Sequence, residues 1–173
     1  MHCETTVDPS GTWRESYRAL ERAYAEGRVM AIGVSNFDDR LLAEITDMAS
    51  TLPHVVQNHA DPARLDQLVR DWCRRNDVLF QPYAVQRNLK SLPRHLMATL
   101  ERISASRNQT LNAVVLKFYH QTGAVLIPRS TNTAHLSANL NLGEWTLSPE
   151  EMNLLGWKEG ADKLPSGGSK SEL

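Results

Sequence analysis

Four places along the chain set polar side chains directly after an apolar run. Ser35-Asn36 follows Val29-Met30-Ala31-Ile32-Gly33-Val34, and Gln57-Asn58 follows Val55-Val56. Tyr83 closes the run that starts at Val78-Leu79-Phe80, and Arg129-Ser130 comes after Ala124-Val125-Leu126-Ile127 and Pro128. Hydroxyl, amide, phenol and guanidinium groups at such positions can hydrogen-bond a polar ligand. For Ser35 and Asn36 alone there is a second explanation, helix entry, because Ser, Asn and Asp side chains accept the orphan N–H groups of a first turn. Asp38 already suits that role, and helices do not need Gln57 or Tyr83 as caps. The repetition therefore points to a ligand site, since ligands of parallel α/β folds sit at the carboxyl ends of the strands.

The elements that must hold these residues alternate along the chain. Segments 29–34, 54–58, 78–82 and 124–127 are predicted strands. They are short and apolar without alternation, which implies burial on both faces and a parallel sheet covered by helices. Thr12-Trp13-Arg14-Glu15 reads as a capping box, followed by Tyr17, Leu20 and Tyr24 at helical spacing and by Gly27 as a stop. Further helices are predicted around Leu41–Ala49, Leu65–Trp72, Leu96–Ile103 and Leu111–Phe118, with Gly123 breaking the last. A short helix follows Arg129-Ser130-Thr131. Ser148-Pro149-Glu150-Glu151 is a second capping box with Pro at the first helical position.

Composition narrows the function classes. With 19 basic and 20 acidic residues the net charge is -1, so nothing favours nucleic acid or an anionic membrane. No apolar stretch is long enough to span a bilayer, and the first residues lack a signal-peptide pattern, which leads to the expectation of a cytoplasmic protein. Cys3 and Cys73 fit no zinc or CxxC pattern and are expected to be reduced thiols. His54 and His59 fall on opposite faces of their strand, so no metal site is expected. Residues 160–173, rich in Gly, Ser, Lys and Glu, are expected to form a flexible tail.

The stretches AEGRVMAIGVSNF, VVQNHADP, QPYA and LNAVVLKFYHQTGAVLIPRST, with a later NL, keep one register along the chain. In them the sequence resembles the aldo-keto reductases, NADPH-dependent (β/α)8-barrel oxidoreductases. The resemblance implies an α/β fold over residues 1–159: a partial TIM barrel of roughly the C-terminal four to five β/α units, with parallel strands. It implies NADP(H) as cofactor. Ser35, Asn36 and Gln57 match the residues that hydrogen-bond the nicotinamide carboxamide, whose donor and acceptor suit hydroxyl and amide side chains. Tyr83 matches the aromatic that stacks on the nicotinamide. Arg129, Ser130 and Thr131 match the group that holds the adenosine 2′-phosphate, and Asn139 a contact to the adenine.

Several positions depart from the family pattern. His135 stands where a second basic residue holds the phosphate, Ala138 where an acidic residue meets the adenine, Val56 where an asparagine precedes Gln57, and Ala84 where a serine contacts the pyrophosphate side. His2 matches the histidine of the catalytic tetrad. The tetrad's aspartate, tyrosine and lysine have no counterpart in this sequence, and Tyr17, Tyr24 and Tyr119 fall on helical faces where core or surface roles are expected. The family implies reduction of an aldehyde or ketone to an alcohol, with a small carbonyl or alcohol substrate. Without the tetrad, turnover by these residues alone is not expected. The alternative is a non-catalytic NADPH-binding or protein-interaction module. Unpaired sheet edges in a partial barrel also suggest self-association.

Overall fold

A computed structural model of the chain describes residues 12–157; His2, Cys3 and the 160–173 segment lie outside the described residues. Three parallel strands, β1 (Gly33–Ser35), β2 (Val55–His59) and β3 (Leu79–Tyr83), pair in chain order. Gly33, Val34 and Ser35 lie opposite Val55, Val56 and Gln57, and β2 pairs with β3 from Val55–Leu79 to His59–Tyr83. Parallel neighbours need a crossover, and helices supply it. α1 (Trp13–Ala25) leads into β1, α2 (Asp39–Met48) joins β1 to β2, and α3 (Gln67–Arg75) joins β2 to β3.

Both capping boxes form as the sequence dictates. The Thr12 hydroxyl accepts from the Glu15 N–H while the Glu15 carboxylate accepts from the Thr12 N–H at 2.7 Å. The pair of Ser148 and Glu151 does the same for the helix Pro149–Leu154. α2 starts on Asp38, whose carboxylate accepts from the Leu41 N–H at 2.8 Å. α1 is tied to the turn before β2: the Tyr17 hydroxyl donates to the Thr51 carbonyl at 2.9 Å, and Glu21 accepts from the Ser50 and Thr51 N–H groups.

The two sheet faces differ. Val56, Phe80 and Pro82 are buried against the helices together with Leu42, Ile45, Val69 and Trp72. The opposite face carries Gly33, Ser35, Val55, Gln57, His59, Leu79, Gln81 and Tyr83, all partly or well exposed. Beyond β3 a helical pair, α4 (Arg94–Arg107) and α5 (Leu111–Gln121), packs around Leu100, Ile103 and Val114. α5 is buried from Ala113 to Tyr119, as its nearly all-apolar sequence requires. α6 (Thr133–Leu140) and α7 (Pro149–Leu154) complete the described residues.

Two predicted strands are corrected. Segment 29–34 becomes strand only at Gly33, because Val29 to Ala31 find no partner strand among the described residues; Met30 is 94% exposed. Segment 124–127 is not a strand. The Val125 N–H reaches the Phe80 carbonyl at 2.9 Å, but the next group on that edge of β3 belongs to Pro82, which has no N–H to return. One bond is not a ladder. Among the described residues no helix is long and apolar enough to cross a membrane.

Candidate functional site

The carboxyl ends of β1, β2 and β3 bring together the first four predicted site residues. Ser35 is the last residue of β1 and its hydroxyl donates to the Gln57 carbonyl at 2.8 Å. The next residue, Asn36, takes a left-handed backbone at φ 60° and its N–H donates to the same carbonyl at 3.0 Å. Asparagine tolerates this conformation better than other residues with a Cβ. The Tyr83 hydroxyl donates to Asn36 Oδ1 at 2.7 Å, which fixes the amide orientation of Asn36 and ties β3 to the β1–α2 turn.

Register explains the convergence. Ser35, Gln57 and Gln81 stand in one row across the sheet, and the Gln57 Nε2 donates to Gln81 Oε1 at 2.6 Å. His59 and Tyr83 stand in the next row, with ring centroids 5.6 Å apart edge to face. His59 Nε2 lies 3.7 Å from Asp61 Oδ2. Gln81 and His59 were not singled out as ligand-facing from sequence. The signal was present in the period of two, which places each two residues from a predicted site residue on the same face.

The second predicted group is separate. Arg129 and Thr131 are exposed, and the Ser130 hydroxyl accepts from the Asn132 N–H at 3.1 Å in a turn that opens α6. Asn139 is half-buried near the end of that helix, with Ala138 beside it. Among the described residues no hydrogen bond joins this group to Ser35, Asn36, Gln57 or Tyr83.

Two of the other tyrosines are structural. Tyr17 and Tyr119 are 2% and 0% exposed, and burial pushes both phenols above their ordinary value, so neither can release a proton readily. Among the described residues no group of His, Cys, Asp and Glu side chains could hold a metal ion.

A sequence model of the Aldo/keto reductase family matches residues 2–157. The chain belongs to that family. It is 30% identical over 141 residues to a 9,11-endoperoxide prostaglandin H2 reductase of Trypanosoma cruzi, covering 80% of this chain and 49% of the relative. It is 28% identical to the glyoxal reductase of Bacillus subtilis, over 82% of this chain and 50% of the relative. The chain thus spans about half the length of the curated relatives it matches. A point mutant of Gox0644, solved in complex with NADPH, superposes with a TM-score of 0.75 at 25% identity, over 86% of this chain and 54% of that one. A Bombyx mori aldo-keto reductase in complex with NADP gives 0.74 at 21% identity, over 84% and 50%. The parallel α/β arrangement of this family member is accordingly part of the family's TIM-barrel fold.

Proposed function

We propose that these residues form the nucleotide-binding side of an NADP(H)-dependent oxidoreductase that interconverts aldehydes or ketones with alcohols. The observation that carries the proposal is the cluster of Ser35, Asn36, Gln57 and Tyr83 at the carboxyl ends of three adjacent strands. Its internal bonds use Asn36 Oδ1 and Gln57 Nε2, and so leave an amide donor on Asn36 and an amide acceptor on Gln57. A carboxamide offers the complementary acceptor and donor, so the donor set fits a nicotinamide. The solved relatives that hold NADPH or NADP support the same assignment.

Each residue has a proposed task. Asn36, Gln57 and Ser35 orient the carboxamide. Tyr83, held by its hydroxyl, offers its ring as a stacking surface and so selects the face of the nicotinamide turned to substrate. Arg129, Ser130 and Thr131 lie just before the N-terminus of α6 and hold the 2′-phosphate, where a guanidinium and hydroxyls make charge-assisted bonds. The bound nucleotide supplies or accepts hydride. Proton transfer is assigned to none of the described tyrosines. The task proposed for these residues is to bind and orient the nucleotide.

Calorimetric titration with NADPH and NADH tests this. Arg129→Ala should weaken NADPH by about 2 kcal/mol, roughly thirtyfold, and leave NADH nearly unchanged. Equal loss for both nucleotides would remove Arg129 from the phosphate site. The second reading, an interaction module, is favoured by the apolar groups left open near the sheet, Met30 at 94% and Leu79 at 54% exposure. Absence of binding by either nucleotide would favour it.

A further inference from the structure

The alternation of β2 puts an amide where its neighbours are apolar. Val56 and Asn58 share the face that packs on the helices, and Asn58 is 5% exposed. A buried amide must find partners. Asn58 Oδ1 accepts from the Phe37 N–H at 3.1 Å, and Asn58 Nδ2 donates to the Phe37 carbonyl at 2.7 Å and to Asp66 Oδ2 at 2.9 Å. The side chain thereby imitates a strand neighbour. The backbone ladder between β1 and β2 stops once the Asn36 N–H has met the Gln57 carbonyl, and the Asn58 amide picks up both polar groups of the next residue but one from Ser35.

The consequence falls on Asn36. Ser35 is held by the ladder on one side and Phe37 by Asn58 on the other, so Asn36 is pinned between them at φ 60°. Phe37 is further wedged by the Trp13 ring, 5.1 Å away and edge-on. Asp66 points the same way. It occupies the N-cap position of α3 at φ 53°, yet makes no side-chain cap bond and turns its carboxylate to Asn58. A helix forgoes a cap, and a residue with a Cβ accepts a left-handed backbone, in favour of the Asn58 contact.

We infer that Asn58, oriented by Asp66, is a positioning residue that sets the Asn36–Phe37 turn and thereby aims Asn36 and the Tyr83 ring bonded to it at the nucleotide. This rests on the nucleotide-binding reading given above. It assigns a binding role to two side chains that do not line the ligand-facing side of the sheet.

The test compares Asn58→Leu, Asp66→Asn, Asp66→Ala and a control, Ile103→Val, which disturbs the α4 core away from the site. NADPH affinity and amide hydrogen exchange at Phe37 are both measured. Asn58→Leu removes all three bonds at similar volume and should raise the NADPH Kd about tenfold or more while accelerating exchange at Phe37. Asp66→Asn keeps an acceptor for Asn58 and should stay within about threefold of the parent, whereas Asp66→Ala should fall between. The control should lose stability with unchanged Kd, which separates positioning from general destabilisation. An Asn58→Leu chain that binds NADPH as tightly as the parent would overturn the inference. A parent chain that does not bind NADPH would refute the nucleotide reading instead. The exchange data would then decide the rest: local acceleration at Phe37 upholds the clamp, and unchanged exchange overturns it.

Discussion

Gly33→Ala is the smallest change that should disturb the site without touching a polar group. A Cβ at position 33 would lie 2.4 Å from Val55 Cγ1 and 2.7 Å from the Val55 carbonyl oxygen. The first contact can be relieved by rotating the valine. The second cannot, because that oxygen belongs to the backbone of β2. Restoring ordinary contact, about 3.5 Å, moves β1 away by roughly 0.8 Å. Overpacking of this kind costs about 1–3 kcal/mol, and each ladder bond stretched adds about 1 kcal/mol. Alanine's lower chain entropy in the unfolded state returns up to about 1 kcal/mol. The net expectation is a loss of about 2 kcal/mol in urea unfolding with an unchanged slope. Adding Val55→Ala removes the side-chain clash alone and should recover only part of the loss. Stability within about 0.5 kcal/mol of the parent, or full recovery in the double variant, would refute the backbone-contact argument.

Other expectations concern the frame around the site. Burial pushes the Cys73 thiol up to about 12, so in a Cys3→Ser background no thiol should react with iodoacetamide in the folded chain and one should react in urea; rapid native labelling would contradict the packing. Arg107 donates to both carboxylate oxygens of Glu151, at 2.9 and 2.7 Å, and this pairing holds the Glu151 carboxyl below its ordinary value. Because the folded value is the lower one, the stabilisation is present above the ordinary carboxylate range and is lost as pH falls through the folded value. Glu151→Gln should therefore cost about 0.5–1 kcal/mol near neutral pH by urea unfolding, a figure that allows for the exposure of Arg107, and progressively less as the pH is lowered through the acidic range; a difference independent of pH would count against the pair.

What could be read from the sequence was what depends on near neighbours. The capping boxes at Thr12 and Ser148 need only residues three apart, and both form. β2 and β3 form where expected, each starting and ending one residue later than the segments 54–58 and 78–82. Strand length at an edge depends instead on a partner. That is why Val29 to Ala31 stay out of the sheet and why Pro82 leaves segment 124–127 with a single bond to β3. The convergence of Ser35, Asn36, Gln57 and Tyr83 was legible because polar residues recurred at one end of successive strands. The clamp on Phe37 was not. Asn58 reads as one more polar residue beside Gln57, and only the register turns it toward the helices and Asp66. The left-handed backbone of Asp66 has no local signature at all.

Trp13, one of four tryptophans, packs edge-on to Phe37, one residue from Asn36, so part of the tryptophan emission reports on the β1–α2 turn. The most direct measurement is a fluorescence titration of the folded chain with NADPH, with NADH run in parallel and far-UV circular dichroism confirming the fold. Saturable quenching by NADPH at lower concentration than by NADH is the predicted result. A folded chain whose emission shows no saturable response to NADPH would contradict the assignment of Ser35, Asn36, Gln57, Tyr83 and Arg129 to a nucleotide site.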